Sequence, residues 1–193
     1  MEDQDLTPEK SFELISQVIN EAKLRFEENG FIYVLWGLLG TVAAFGQFFL
    51  LKNGYNSINY NPYFLMPLGA VYTGYYYYKK GRVRKNQISR MVSFSWTAVV
   101  LNILILGFLL AGVLKQNLIP VILILVGIGT IVSASAIKNR LILYSGVVIN
   151  FAGLACFRLE WIYQPLLLGI VFAIAILIPG IILMVEHKRR QNV

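Results

Sequence analysis

The segment YYYYKKGRVRK, residues 75–85, combines the two side-chain types that bind nucleic acids: aromatic rings that stack on bases and cations that hold phosphates. RNA recognition by stacking needs aromatic residues on one exposed sheet face, whereas four consecutive tyrosines of a helix point in all directions around it. Tyrosines followed by cations are also typical of the place where a membrane helix meets the cytoplasmic headgroups. We therefore interpret the segment as a membrane boundary and expect no nucleic-acid binding.

The loop that follows the tyrosines is strongly basic, because residues 79–90 contain six cations and no anion. Such clusters beside a membrane span attract anionic lipid headgroups. The N-terminal segment carries the opposite charge, since residues 1–28 hold eight acidic and three basic side chains, a net charge of −5. The sequence therefore predicts that the loop contacts either anionic lipid or the N-terminal segment through Lys79, Lys80, Arg82, Arg84, Lys85 and Arg90.

Three amides are the candidate polar residues inside the apolar segments. Asn102 and Asn150 lie near the middle of theirs, and Gln47 lies towards the end of its own. An amide in hydrocarbon needs a hydrogen-bond partner, and such a bond between membrane helices contributes roughly 0.6–2 kcal/mol. These residues could line a path for a ligand or ion, or they could fix the packing of helices. We favour packing and keep the path as the alternative.

The apolar segments contain no Asp, Glu, Lys, Arg or His, and the chain has one cysteine, Cys156, and one histidine, His187. Proton relays and most coupled transporters place ionisable groups at membrane depth. Hydrolysis inside a membrane needs a nucleophile with a base, or metal ligands. We therefore predict no catalytic residue, no metal site and no cofactor, and we expect that the protein is not an enzyme.

The composition identifies lipid as the solvent, because 57% of the residues are hydrophobic, 14% are charged and the mean hydropathy is +0.64. A helix needs about 20 residues to cross a hydrocarbon core of about 30 Å. Apolar segments of about that length predict an all-α bundle of six membrane helices over residues 31–193. Their approximate limits are 31–51, 62–78, 91–114, 118–137, 141–157 and 161–185.

Residues 1–30 form a separate predicted unit, an acidic cytoplasmic segment with an amphipathic helix over 7–28. Thr7 can cap this helix, Pro8 suits its first turn, and apolar residues recur at helical spacing from Phe12 to Phe26. The helix could fold back over the basic 79–90 loop. Alternatively, it could bind a separate protein or stay free of both.

Lys and Arg residues set the predicted orientation. Fourteen of them lie on the side of both termini and three, Lys52, Lys115 and Arg158, lie on the other side. The positive-inside rule places both termini in the cytoplasm. The acidic N-terminus does not fit a cleavable signal peptide, so we expect a multi-pass protein of the plasma (inner) membrane.

Small residues and prolines predict how the helices pack. Gly40 and Ala44 lie four residues apart, as do Gly129 and Ser133, a spacing that lets helix backbones approach closely. We expect these positions to pack inside the bundle. Pro67 and the Pro179-Gly180 pair interrupt their spans and are expected to kink them.

The order of features resembles a group of small six-span bacterial integral membrane proteins with no assigned activity. The residues that carry the likeness are the 31–37 segment FIYVLWG after an acidic helix, the 126–130 segment VGIGT and the 178–180 segment IPG. The resemblance covers nearly the whole chain. It implies six spans and assigns no catalytic or binding residue.

The sequence favours a non-enzymatic membrane protein that acts as a scaffold, or as an accessory or regulatory subunit, through its cytoplasmic face. Its partners would be the lipid bilayer and a protein bound through the 7–28 helix. The alternative is a transporter or channel for a small neutral or apolar solute, which would not need buried ionisable groups. The oligomeric state is left open by the sequence.

Overall fold

The computed structural model describes residues 12, 14, 16, 30–55, 61–80 and 87–191, and these residues form helices and connections without a strand. We number the long helices in chain order. They are α1 Gly30–Lys52, α2 Leu65–Lys80, α3 Gln87–Phe108, α4 Leu118–Ile137, α5 Arg140–Cys156 and α6, which covers 164–191 in the stretches Gln164–Phe172, Ala173–Leu177 and Ile178–Gln191.

Four stretches are long and apolar enough to cross a membrane: Gly30–Lys52, Arg90–Phe108, Ala111–Ala136 and Gln164–Glu186. The prediction of an all-helical membrane-type chain is therefore confirmed for the described residues, with four such helices rather than six. Helix α5 has 17 residues and α2 has 16, so each falls short of the usual crossing length. The run of tyrosines at the end of α2 also lowers its apolar character.

The segment predicted as one helix over 91–114 is broken in the structure. Helix α3 ends at Phe108, a helical turn covers Ala111–Leu114, and a 3-10 turn at Lys115–Asn117 leads directly into α4. Lys115 has a φ of 47°, in the left-handed region that L side chains rarely adopt. The apolar sequence on both sides of this break hides it from a hydropathy pattern.

Two of the helices, α2 and α3, lie on the outside of the bundle. Helix α1 packs mainly against α6, α4 packs mainly against α5, and α5 and α6 complete the centre. Helix α2 makes its main contacts with α1, and α3 makes its main contacts with α4. The central core combines side chains from α1, α4, α5 and α6, namely Ala44, Leu123, Val126, Ile149, Cys156, Leu168, Val171, Ala175 and Ile176.

Glycines bring α1 and α6 into backbone contact. A Cβ added at Gly37 would lie 2.7 Å from the backbone nitrogen of Leu177, and one added at Gly180 would lie 2.8 Å from the backbone nitrogen of Val34. Gly40 and Ala44 are also buried on this side of α1. The expectation that Gly40, Ala44, Gly129 and Ser133 pack inside the bundle is confirmed, since all four are buried.

The α4–α5 pair uses the same device in an antiparallel hairpin. A Cβ added at Gly127 would lie 2.9 Å from the nitrogen of Asn150, and one at Gly146 would lie 2.8 Å from the nitrogen of Ile131. Only Lys138 and Asn139 separate the two helices. Lys138 is left-handed (φ 54°), and the Asn139 side chain accepts a hydrogen bond from the Ile142 backbone nitrogen at 3.2 Å, which caps α5.

The prolines lie where their missing N–H groups are tolerated. Pro67 is the third residue of α2, within its first turn, so the expected interruption of that helix was wrong. Pro179 follows a π-helical stretch at Ala173–Leu177. Because a proline ring clashes with the carbonyl four residues earlier, here that of Ala175, the wider π-helical turn accommodates it.

The amphipathic helix predicted over 7–28 lies outside the described residues except for Phe12, Leu14 and Ser16. These three residues are helical and exposed, with 76% of the Phe12 surface accessible. The fold-back of this helix over the basic loop stays a prediction.

The glycine contacts give the first testable prediction. We expect Gly146→Ala to lower the free energy of unfolding in detergent by about 1–3 kcal/mol, because the new methyl group would meet the α4 backbone. The matched control is Gly107→Ala in α3, where an added Cβ has no neighbour within 4 Å. That control should be neutral or gain up to about 1 kcal/mol from helix propensity. Equal stability of the two variants would contradict the close approach of α4 and α5.

Candidate functional site

The two mid-segment asparagines lie in different surroundings. Asn150 is half-buried on α5, and its Nδ2 donates to the carbonyl oxygen of Ile124 on α4 at 3.5 Å. Its backbone lies directly against Gly127. This amide therefore joins two helices, as the packing interpretation expects.

Asn102 makes no such connection between helices. Its side chain is exposed on α3, and its Nδ2 donates to the Ala98 carbonyl of the same helix at 2.9 Å. The geometry does not bring Asn102 to the α4–α5 contact that holds Asn150. A single polar path lined by both asparagines has no support in these contacts.

Gln47 and Tyr63 place unpaired polar atoms in the interior. The Oε1 atom of Gln47 and the hydroxyl of Tyr63 are inaccessible to solvent and have no hydrogen-bond partner among the described residues. Tyr63 lies in the 3-10 turn Pro62–Phe64 and packs against the central core that contains Cys156. The residues that precede Gln47 and Tyr63 lie close to each other, since a Cβ added at Gly46 would lie 3.2 Å from Pro62 Cγ.

Local sequence fixes the position of Tyr63. Asn61 adopts an extended conformation, and its side-chain oxygen accepts a hydrogen bond from the Tyr63 backbone nitrogen at 3.0 Å. Pro62 suits the first position of the turn that follows. The sequence analysis did not single out this tyrosine. The Asn61-Pro62 pair before it marks the start of a helical turn, whereas its burial depends on contacts with residues distant in the chain.

Gln164, the first residue of α6, is a second buried amide. It is 2% exposed, and its Nε2 donates to the carbonyl oxygen of Leu159 at 3.3 Å. The neighbouring Tyr163 ring lies 6.2 Å from the Phe48 ring of α1. The Gln164 amide therefore has a hydrogen-bond partner among the described residues, whereas the Oε1 atom of Gln47 has none.

A relay of hydrogen bonds between α1 and α2 was also missed from the sequence. Trp36 Nε1 donates to the Thr73 hydroxyl at 3.2 Å, and that hydroxyl donates to the Gly69 carbonyl at 2.7 Å. Phe31 stacks on Tyr76 beside it, with ring centroids 5.7 Å apart. These contacts hold α2 on α1.

The hydroxyls inside α4 and α5 bond to their own helices. Thr130 donates to the Val126 carbonyl, Ser133 donates to the Gly129 carbonyl, and Ser145 donates to the Leu141 carbonyl, at 2.8–3.0 Å. Among the described residues, no group of three His, Cys, Asp or Glu side chains could hold a metal ion. Cys156 is buried and is not in a disulfide.

The basic loop is described only at its two ends. Lys79 at the end of α2 and Arg90 at the start of α3 are exposed, and Lys80 belongs to α2. Arg82, Arg84 and Lys85 lie outside the described residues. Three of the four tyrosines before the loop are exposed, with 86% of the Tyr78 surface accessible.

Comparison of the chain with protein-family models, with curated proteins and with solved structures finds no match. The resemblance to small six-span bacterial membrane proteins therefore stays a prediction.

The unpaired oxygen of Gln47 gives a second prediction. Methionine has a similar length and no polar atom, so Gln47→Met should raise the free energy of unfolding by roughly 1–2 kcal/mol, because it removes a buried acceptor without a donor. Gln164→Met is the matched control and should lower stability, because it removes the bond to Leu159. Denaturant titration of both variants in detergent measures the difference. A loss of stability in Gln47→Met would show that the amide has a partner.

Proposed function

We propose that the chain is a non-enzymatic membrane protein, a scaffold or an accessory subunit, whose cytoplasmic face binds a partner protein. The observation that carries the proposal is a set of exposed cations and tyrosines at the end of α2 and the start of α3. Lys79 and Arg90 are accessible there, and Tyr75 and Tyr78 expose more than half of their surfaces. Exposed aromatic rings and cations are the residue types that protein interfaces use as anchors.

The pairing of buried polar side chains in α4 and α5 supports the same proposal. The buried hydroxyls of Thr130, Ser133 and Ser145 donate to carbonyls of their own helices, and the Asn150 amide donates to the Ile124 carbonyl. Phe12 and Leu14 of the N-terminal segment are exposed and apolar, which suits a helix that docks on another protein.

The topology that we propose has six spans with both termini in the cytoplasm of a bacterial cell. Helices α2 and α5 cross despite their length because residues at their ends extend them: the 3-10 turn at Pro62–Phe64 precedes α2, and Arg140 begins α5 and can reach towards the headgroups. The ratio of fourteen Lys and Arg residues to three supports this orientation.

Cysteine labelling tests this topology, and the chain suits it because Cys156 is its one cysteine. In a Cys156→Ala background, we expect a membrane-impermeant maleimide to label Asn53→Cys, Gln116→Cys and Leu159→Cys in intact cells. Lys79→Cys and Lys188→Cys should react only after the membrane is opened. Labelling of Lys79→Cys and Gln116→Cys from the same side would contradict six spans.

Purification in gentle detergent tests the partner. We expect a protein to copurify in stoichiometric amount and to be reduced about tenfold when Lys79 and Arg90 are both changed to Gln, because truncating a hot-spot residue such as an arginine costs more than about 1 kcal/mol. The matched control removes two cations on the opposite side, Lys115→Gln with Arg158→Gln, and should keep the partner. A partner that survives the first pair of changes, or a purified protein that carries only anionic lipid, would contradict the proposal.

A second candidate function is the binding and passage of a small neutral solute. The unpaired Gln47 Oε1 and Tyr63 hydroxyl favour it, because one accepts and the other donates a hydrogen bond. Liposome swelling with glycerol or urea tests this function. Gln47→Leu and Tyr63→Phe should slow solute entry, whereas Asn150→Leu should not; equal rates in all three variants and the parent would exclude it.

A further inference from the structure

Helix α3 has the least covered surface of the candidate membrane spans. Only 6% of the residues in its most apolar stretch are buried, compared with 44% in the corresponding stretch of Ala111–Ala136. One side of α3 faces the bundle: Val99 is buried and lies beside Gly129 of α4, and Trp96 and Ile103 pack against the central core. The rest of the helix surface is open.

In the proposed topology, Asn102 lies on the open part of that surface and inside the hydrocarbon core. It follows Arg90 by twelve residues and precedes Phe108, the last residue of α3, by six. A rise of about 1.5 Å per residue places it about 18 Å from Arg90, well inside a hydrocarbon core of about 30 Å. Its Nδ2 bonds to Ala98, and its Oδ1 accepts no hydrogen bond from the described residues. An amide oxygen facing lipid tails alone is unfavourable, because nothing there can donate to it.

The residues above and below Asn102 form a continuous stripe. Their spacing alternates between four and three residues, which is the spacing of a helix–helix seam in coiled coils. Ser95 is half-buried and the others are exposed. The small side chains of Ala98 and Ser95, one and two turns before Asn102, allow a second helix to approach closely. The stripe consists of Met91, Ser95, Ala98, Asn102, Ile105 and Leu109.

We propose that this stripe binds the same stripe of a second copy of the chain, so that two α3 helices pack in parallel with the Asn102 amides bonded to each other. Copies in one membrane share one orientation, so a two-fold axis along the membrane normal brings equal depths together. An asparagine amide carries both donors and an acceptor, so two identical residues across that axis satisfy one another. No charged residue lies between Arg90 and Lys115 to oppose the contact. The dimer is independent of the cytoplasmic partner proposed above.

Cysteine cross-linking of the full chain in native membranes tests which face of α3 meets the second copy. In a Cys156→Ala background, oxidation should yield disulfide-linked dimers for Ala98→Cys and Ile105→Cys. The matched controls are Val100→Cys and Leu104→Cys, which are 49% and 46% exposed, close to the 47% of Ile105, but lie off the stripe. Equal yields at all four positions, or no dimer at any, would overturn the proposal.

Variants of Asn102 test the role of the amide. In liposomes that contain the purified protein, energy transfer between labelled copies should show self-association that Asn102→Leu weakens about tenfold. Asn102→Gln keeps a donor and an acceptor and should restore most of it. The double change Leu101→Asn with Asn102→Leu keeps the composition but moves the amide off the stripe, so it should stay weak.

Three results would overturn the proposal: unchanged association in Asn102→Leu, full association in the double variant, or a purified protein that stays monomeric while cross-linking in native membranes to a different protein. The last result would assign the stripe to another membrane protein. Loss of the cytoplasmic partner in the Lys79 and Arg90 variants, measured separately, does not bear on the dimer.

Discussion

The structure depends on backbone-to-backbone contact between helices at glycine positions. In lipid, apolar side chains gain little by leaving one apolar environment for another, so association depends on close packing and on hydrogen bonds between helices. Gly37 and Gly180 provide that contact between α1 and α6, and Gly127 and Gly146 provide it between α4 and α5. The first of these contacts joins the first and the last long helix. It therefore closes the bundle, with α2 and α3 attached outside.

The need for close backbone approach also determines which polar residues bond to a neighbouring helix. Asn150 reaches the Ile124 carbonyl of α4 because Gly127 lets its backbone come within contact distance of that helix. No described glycine of a neighbouring helix packs against Asn102, and its side chain bonds to its own helix. Two identical amides in similar apolar sequence therefore have different roles, one inside the molecule and one available for a contact with a second copy.

The π-helical stretch of α6 belongs to the same closing contact. Leu177 is its last residue and is also the residue that meets Gly37. A regular helix through this point would carry the Ala175 carbonyl into the ring of Pro179. The wider turn removes that clash while α6 remains in backbone contact with α1. Pro179 and Gly37 thus both constrain the backbone around Leu177.

The sequence was sufficient to predict an all-helical chain, the internal packing of Gly40 and Ala44, and an interruption near Pro179, because each depends on local composition and spacing. It could not separate Asn102 from Asn150. In helices that are apolar all round, periodicity carries little information about which face is covered.

The sequence also missed features that depend on neighbours distant in the chain. Tyr63 enters the core because α1 and the turn after Asn61 come together, and the bond from Trp36 to Thr73 joins residues 37 positions apart. The break after Phe108 lies in uniformly apolar sequence, so no change in hydropathy marks it. The position of Tyr63 and the bond from Trp36 to Thr73 are set by tertiary contacts rather than by local propensity.

The most direct test of this arrangement is cross-linking between the first and last helices in native membranes. Phe48 and Tyr163 have ring centroids 6.2 Å apart, whereas the neighbouring Phe49 is 59% exposed. In a Cys156→Ala background, a short bismaleimide should join Phe48→Cys to Tyr163→Cys within one chain much faster than it joins Phe49→Cys to Tyr163→Cys. Equal rates for the two pairs, or no link in the first, would contradict a bundle closed by α1 and α6.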